Sequence, residues 1–192
     1  MSTTQPIKQI EEITKLKAFF REKNDVRNFV MIVMGMNTAL RISDLLDLRW
    51  RSVYDWQKKM YYKHIQLTEQ KTGKTNIVAL NNAVIDALEE LRQLCPPSSR
   101  NDFIFQSRTG VNRPITRSQA YRIINRAAKN LGIEGNISCH SLRKTFGYQA
   151  WKKGVPPAVI MEIYNHTSLE ITKRYLAIDQ DDKDEVIYSM NL

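Results

Sequence analysis

Residues 138–153 read SCHSLRKTFGYQAWKK and are followed by Gly154, Val155 and Pro156. The stretch predicts a helix marked at both ends. Ser138 is placed to cap its first turn, and Gly154 with Pro156 beyond closes it near Lys153. On that helix His140 and Arg143 stand three residues apart, so they share a face and can reach one ligand group. Further along, residues 165–175 read NHTSLEITKRY. Thr167 with Glu170 has the form of a capping box, which starts a second helix carrying Tyr175.

Working outward, residues 7–22 place Ile7, Ile10, Ile13, Leu16, Phe19 and Phe20 at helical spacing, and Val26 to Leu40 reads as a buried helix. Ser43 is placed to cap a short helix through Leu48. Strand character follows at Val53–Tyr54, Met60–Leu67 and Thr75–Leu80, with Lys71-Thr72-Gly73-Lys74 as the turn of a small antiparallel sheet. Residues 82–94 return to helix, Phe103-Ile104-Phe105 has strand character, and another helix is expected from about Thr116 to Leu131. The fold class is therefore α+β, mostly helical, with one small antiparallel sheet, and 192 residues suit a single domain spanning 1–192. Trp50, Trp56 and Trp151 are expected in the core.

Lys and Arg total 29 against 20 Asp and Glu, a net charge of +9 that suits a polyanionic partner. The excess is central. Residues 49–74 hold seven Lys or Arg against two acids, and residues 100–153 hold eleven against two. Residues 179–185 instead carry five acids and one Lys, so that end would be repelled by a phosphate backbone and is expected to face something other than the polyanion. Composition alone does not resolve that polyanion among DNA, RNA and anionic membrane. Cys95 and Cys139 have no paired spacing, so neither a disulfide framework nor a zinc site is indicated, and a reducing cytoplasm fits. The longest apolar run, Phe29 to Met36, is too short to span a bilayer. Thr72-Gly73-Lys74-Thr75 is not a nucleotide-binding P-loop, because Thr68 stands where that motif needs glycine.

Five segments carry chemistry: Thr38 to Asp44, Gln70 to Lys74, His140 to Arg143, Asn165 to Ser168, and Thr172 to Tyr175. Any of these residues taken singly has a commoner structural explanation, such as a solvated arginine or a core tyrosine. Their order and spacing argue otherwise. The set resembles the tyrosine recombinases of the phage integrase family, whose catalytic domain shows a T-G-L-R-I-S-E segment, a hairpin lysine, H-x-L-R, L-G-H-x-S and a tyrosine nine residues after that last histidine. Tyr175 stands nine residues after His166. The resemblance runs from about Ile10 to Ala177. It implies a tyrosine recombinase catalytic-core fold and places the active-site roles on Arg41, Lys71, His140, Arg143, His166 and Tyr175, with Asp44 orienting Arg41.

Phosphodiester transesterification makes the same set sensible. It needs a nucleophile, donors for charge on the non-bridging oxygens and an acid for the leaving 5′ oxygen. A phenol ionises only near pH 10 in water, so a tyrosine nucleophile needs positive charge around it, which Arg41 and Arg143 can supply while gripping phosphate bidentately. Lys71, on a hairpin tip, is the expected general acid. His166 is expected to donate to phosphate and His140 to take or relay the tyrosine proton. The product is a 3′-phosphotyrosyl enzyme and a free 5′-hydroxyl, formed without metal or other cofactor. Lys74, Arg113, Arg117, Arg122, Arg126 and Lys144 are candidate DNA-backbone contacts, the four arginines recurring at helical spacings.

The chain departs from the family pattern at Ala39 for Gly, Asp44 for Glu, Ala79 for Pro, Lys144 for His and Asn165 for Gly. Asn is the next best residue after Gly for positive φ. The separate N-terminal DNA-clamping domain of most relatives is expected to be absent, either because the sequence is a fragment of a longer recombinase or as in the short stand-alone recombinases that invert fimbrial promoters. What the resemblance further implies is double-stranded DNA as partner, a homo-tetramer on DNA with a monomer when free, DNA-bending accessory proteins, and a C-terminal tail at 178–192 that docks on a neighbouring protomer, with docking on its own chain or disorder as the alternatives. The alternatives are a type IB topoisomerase-like enzyme and a non-catalytic DNA-binding protein on the same fold.

Overall fold

The computed structural model describes residues 4–190, so the ends of the expected 1–192 domain and of the 178–192 tail lie outside the described residues. The scaffold is built around α2 (Val26–Asn37), in which ten of twelve residues are buried. A helix apolar on all sides belongs in the middle of a fold. Against it lie α1 (Ile10–Glu22) through Ile13, Leu16 and Phe20, and α4 (Asn82–Leu94) through Val84, Ala87, Leu88 and Leu91. The first helix starts at Ile10, which is exposed, while Ile7 is buried in the segment before it.

After α2 the chain turns through Ala39, whose φ is 55°, into the short α3 (Ile42–Leu46). Arg41 is the N-cap of that helix. The expected cap, Ser43, sits inside it instead, because the helix begins two residues earlier than the capping pattern suggests. Two separate two-stranded antiparallel sheets follow in place of the one expected: β1 (Tyr54–Asp55) with β2 (Met60–Tyr61), and β3 (His64–Thr68) with β4 (Thr75–Ala79). In the second, five pairs run from His64 opposite Ala79 to Thr68 opposite Thr75. Ile65 is buried and Leu67 and Val78 pack against the core, while Gln66 and Ile77 face outward. The hairpin tip, residues 69–74, projects beyond this sheet.

Phe103, Ile104 and Phe105 are buried as core, but the strand expected there reduces to an isolated bridge between Arg49 and Phe103. Next comes α5 (Arg117–Asn130), opened by a capping box of Thr116 and Gln119. The helix that decides the fold, α6 (Cys139–Lys152), is capped by Ser138, with Ser141 closing the box. It crosses α2 closely: a Cβ at Gly35 would lie 2.6 Å from Leu142 Cδ1.

A further helix, α7 (Pro157–Ile163), was not expected, because Pro156 serves in the sequence pattern only as the stop after α6 and no element is expected in the residues directly after it. Proline is equally suited to the first turn of a helix, where its missing N–H is not needed, and Pro157 opens this one. Next is α8 (Leu169–Leu176), whose cap is Ser168, accepting from the amide of Ile171, rather than the expected Thr167. Ala39, Ile160, Tyr164 and Leu176 form a small second cluster beneath it, apart from the main core that runs from Ile7 to Leu142.

The last element among the described residues is α9 (Gln180–Met190). Buried Asp182 accepts from Lys8 Nζ at 2.9 Å and from Tyr148 Oη at 2.7 Å, and Lys152 pairs with Glu185. Asp179, Asp182 and Glu185 of the acidic end thus find their counter-charges within the chain, while Val186, Ile187, Tyr188 and Met190 stay exposed. Trp50 is buried as expected, but Trp56 is exposed, packed edge-on against Tyr54. Among the described residues no helix is long and apolar enough to cross a membrane.

Candidate active site

The residues singled out in five distant segments come together where α3, the β3–β4 hairpin, α6 and α8 meet. Tyr175, near the end of α8, is half-buried. Its ring centroid lies 4.8 Å from that of His140 and 4.5 Å from that of His166, both edge-on, and the Arg143 guanidinium is 6.0 Å from the ring centre. The phenol is held by these polar neighbours and by Tyr164 at 5.2 Å, not sealed in aliphatic packing.

Arg143 is 1% exposed. One of its terminal nitrogens donates to the carbonyl of Ala39 and the other to that of Tyr164, the latter at 2.7 Å. Those carbonyls belong to two tight turns, one with Ala39 itself at φ 55° and the other with Asn165, next after Tyr164, also at φ 55°. Both are family glycine positions in which this chain carries a side chain in the left-handed region, at a cost of about 1–2 kcal/mol for alanine and less for asparagine. The turns aim two carbonyls at one guanidinium. Burial, and next to it the Arg41 charge, pushes Arg143 below its ordinary range, and its Nε has no hydrogen-bond partner among the described residues.

Arg41 is 17% exposed and forms an ion pair with Glu69 Oε2 at 2.5 Å. Sequence reasoning missed Glu69, which is 1% exposed at the base of the hairpin. Its carboxylate also accepts from Thr72 Oγ1 at 2.6 Å and Asn76 Nδ2 at 3.1 Å. Burial opposes its charge, but Thr72, Arg41 and Asn76 together hold it below the ordinary carboxylate range. Asp44 does not bond Arg41 as expected. It is buried and accepts from the Gln70 amide at 3.0 Å, and burial raises it above its ordinary range.

Lys71 is exposed on the hairpin tip, close enough to contribute to the field at His140. Both histidines are pushed down to about 4, His140 by burial and then by Lys144, Arg143, Arg41 and Lys71, and His166 by burial and then by Arg143 and Arg41. They are neutral near pH 7. His166 Nδ1 lies 3.0 Å from Thr172 Oγ1, which leaves Nε2 for the site.

A cleft of about 920 Å³ opens from this cluster, lined by Arg41, His140 and Arg143 on one side and by Arg117, Tyr121 and Arg122 of α5 on the other. Arg126 is exposed on the same helix, and Lys74 on the hairpin. Arg113 is exposed in the loop before α5, so the helical spacing of the four arginines does not place them on one helix. Lys144 is not available to a backbone phosphate as expected: it is 7% exposed and donates to the Thr4 carbonyl at 2.6 Å, its charge lying 5.8 Å from the centre of the Tyr175 ring.

The sequence profile of the phage integrase family matches residues 7–182. The chain belongs to the phage integrase family. By family it is a tyrosine recombinase. It is 37% identical over 182 residues to the probable integrase/recombinase YoeC of Bacillus subtilis (strain 168), an alignment covering 94% of this chain and 93% of that one. The type 1 fimbriae regulatory protein FimE of Escherichia coli (strain K12) is 29% identical over 154 residues, covering 79% and 74%. The phage integrase fold is shared with a crystal structure of XerA recombinase, at a TM-score of 0.79 and 22% identity, covering 100% of this chain and 66% of that one. Other recombinases are longer still: the chain spans 57% of a tyrosine recombinase of Pseudothermotoga lettingae.

Proposed function

We propose that the chain is the catalytic part of a site-specific recombinase that cuts and rejoins double-stranded DNA through Tyr175. The observation that carries this reading is the single cluster in which the Tyr175 ring meets His140, His166 and Arg143, of which His140 and Arg143 also line the arginine-bearing cleft. Tyr175 Oη attacks the scissile phosphorus and gives its proton to His140, whose neutral form can accept it. The bond from phosphorus to the 5′ oxygen breaks as Lys71 protonates that oxygen. Arg41, Arg143 and the Nε2–H of His166 hold the non-bridging oxygens as charge grows on them. The phosphoester is conserved as a 3′-phosphotyrosine, so attack by another 5′-hydroxyl reverses the step onto a new strand without ATP.

Arg117, Arg122 and Arg126, with Lys74 from the hairpin and Arg113 from the loop, supply the backbone contacts that hold a duplex over the site. Strand exchange between two sites requires four such centres, so the assembly on DNA is a homo-tetramer, with the exposed apolar residues of α9 available to a neighbouring protomer and DNA-bending proteins setting direction. The reading is tested by incubating the protein with a pool of nicked duplexes of random sequence and recovering DNA that stays attached after denaturation. Wild-type protein is expected to enrich one site, and Tyr175→Phe to bind DNA without retaining any. Wild-type protein that binds duplex but never retains it would leave a DNA-binding role only.

A further inference from the structure

Lys71 is a flexible side chain at the exposed end of a two-stranded hairpin, yet a general acid has to meet the leaving oxygen within hydrogen-bond reach of a phosphate gripped by Arg41. Something must fix the hairpin to the helix that presents Arg41. Two carboxylates link the elements in opposite senses. Asp44, on α3, accepts the amide of Gln70 in the hairpin. Glu69, in the hairpin, pairs with Arg41 at the N-cap of α3. Glu69 also gathers its own turn, taking Thr72 Oγ1 and Asn76 Nδ2 on the carboxylate, while its amide donates to the Lys74 carbonyl and its carbonyl accepts from Gly73, each at 2.9 Å. These contacts bracket Lys71 on both sides while its side chain stays exposed.

Resting on the reading of Lys71 as the acid, we infer that Glu69 is a positioning residue that locks the lysine hairpin to Arg41, so that acid and phosphate clamp are held in one frame. The helix end of the link is the fixed one, since Leu45 and Leu46 of α3 are buried while residues 70–75 of the hairpin are exposed. Loss of the Glu69 charge therefore loosens Lys71 more than Arg41. A carboxylate this close to the reacting phosphate would be a poor choice for substrate binding, which favours a positioning role over a contact with DNA.

The test compares two suicide duplexes carrying the captured site, one with the natural 5′ oxygen at the scissile bond and one with sulfur in its place. A thiol, with a pKa of about 8.5, departs as the thiolate and needs no acid. Lys71→Ala is expected to slow adduct formation by about 10²–10⁴-fold on the oxygen duplex and to recover on the sulfur one. Glu69→Gln, which keeps the shape and removes the charge, is expected to slow it by about 10–100-fold on oxygen and to recover likewise, whereas Arg41→Ala stays slow on both. Thr72→Val, at an exposed turn position, removes one Glu69 partner and should show a smaller loss with the same recovery, so the outcome does not hang on the folding of the buried variant. Glu69→Gln that stays slow on sulfur while Lys71→Ala recovers, or that matches wild type on oxygen, overturns the inference and leaves the catalytic reading standing. Failure of Lys71→Ala itself to recover overturns Lys71 as the acid, and the inference with it.

Discussion

The charge state of the two histidines decides what the site can do before DNA arrives. Partly withdrawn from water, and beside Lys144, Arg143, Arg41 and Lys71 for His140 and beside Arg143 and Arg41 for His166, both are neutral at pH 7, so one can accept a proton from Tyr175 and the other can donate from Nε2. The same environment makes the free protein sensitive to acid. In the unfolded chain a histidine binds its proton below about 6.5, whereas the folded sites resist until about 4. Stability is full above pH 6.5 and falls as pH drops toward 4, because the unfolded state takes up protons that the folded state refuses. Thermal unfolding followed across that window should show a declining midpoint for wild type and a flatter one for a His140→Gln, His166→Gln double variant. Equal slopes would mean that other groups set the acid limit.

At the scale of elements, the site depends on how closely α6 approaches α2, since α6 carries His140 and Arg143 while the turn after α2 carries Ala39 and Arg41. Gly35 permits that approach against Leu142. Gly35→Ala should cost about 1–2 kcal/mol in a thermal melt, the overpacking exceeding the roughly 1 kcal/mol gained in helix propensity, and should lower adduct yield as α6 is displaced. Wild-type stability would show that Leu142 repacks freely. The helix α6 was legible because Ser138, Gly154 and Pro156 mark its ends with local chemistry. The helix α7 was not, since Pro156-Pro157 reads equally as a stop or a first turn, and the choice is made by packing of Ile160 under α8. Arg41, His140, Arg143, His166 and Tyr175 were legible through order and spacing, and Lys71 through its turn. Glu69 had no such signal: an acid at a strand end is ordinary, and only tertiary burial beside Arg41 distinguishes it. Lys144 erred the other way, a basic residue beside the site motif whose charge is turned inward to Thr4.

Across the whole molecule the charge is divided by function. Asp182 and Glu185 of α9 meet Lys8, Lys152 and Tyr148 of their own chain, while Arg117 and Arg122 of α5 face the cleft without acids among its lining residues. If those arginines neutralise phosphates, Arg117→Ala with Arg122→Ala should flatten the dependence of log affinity on log salt by about 1.8, close to 0.9 for each phosphate no longer neutralised, uniformly across duplex sequences. An unchanged slope in fluorescence anisotropy titrations would place the duplex elsewhere.

The most direct test of the account is to map the covalent bond itself: digest the protein–DNA adduct formed on a nicked duplex and locate the modified residue and the DNA end by mass spectrometry. The expected product is a single phosphodiester joining Tyr175 to a 3′ phosphate, with a free 5′-hydroxyl on the released strand. Attachment through another residue, or through a 5′ phosphate, would contradict it.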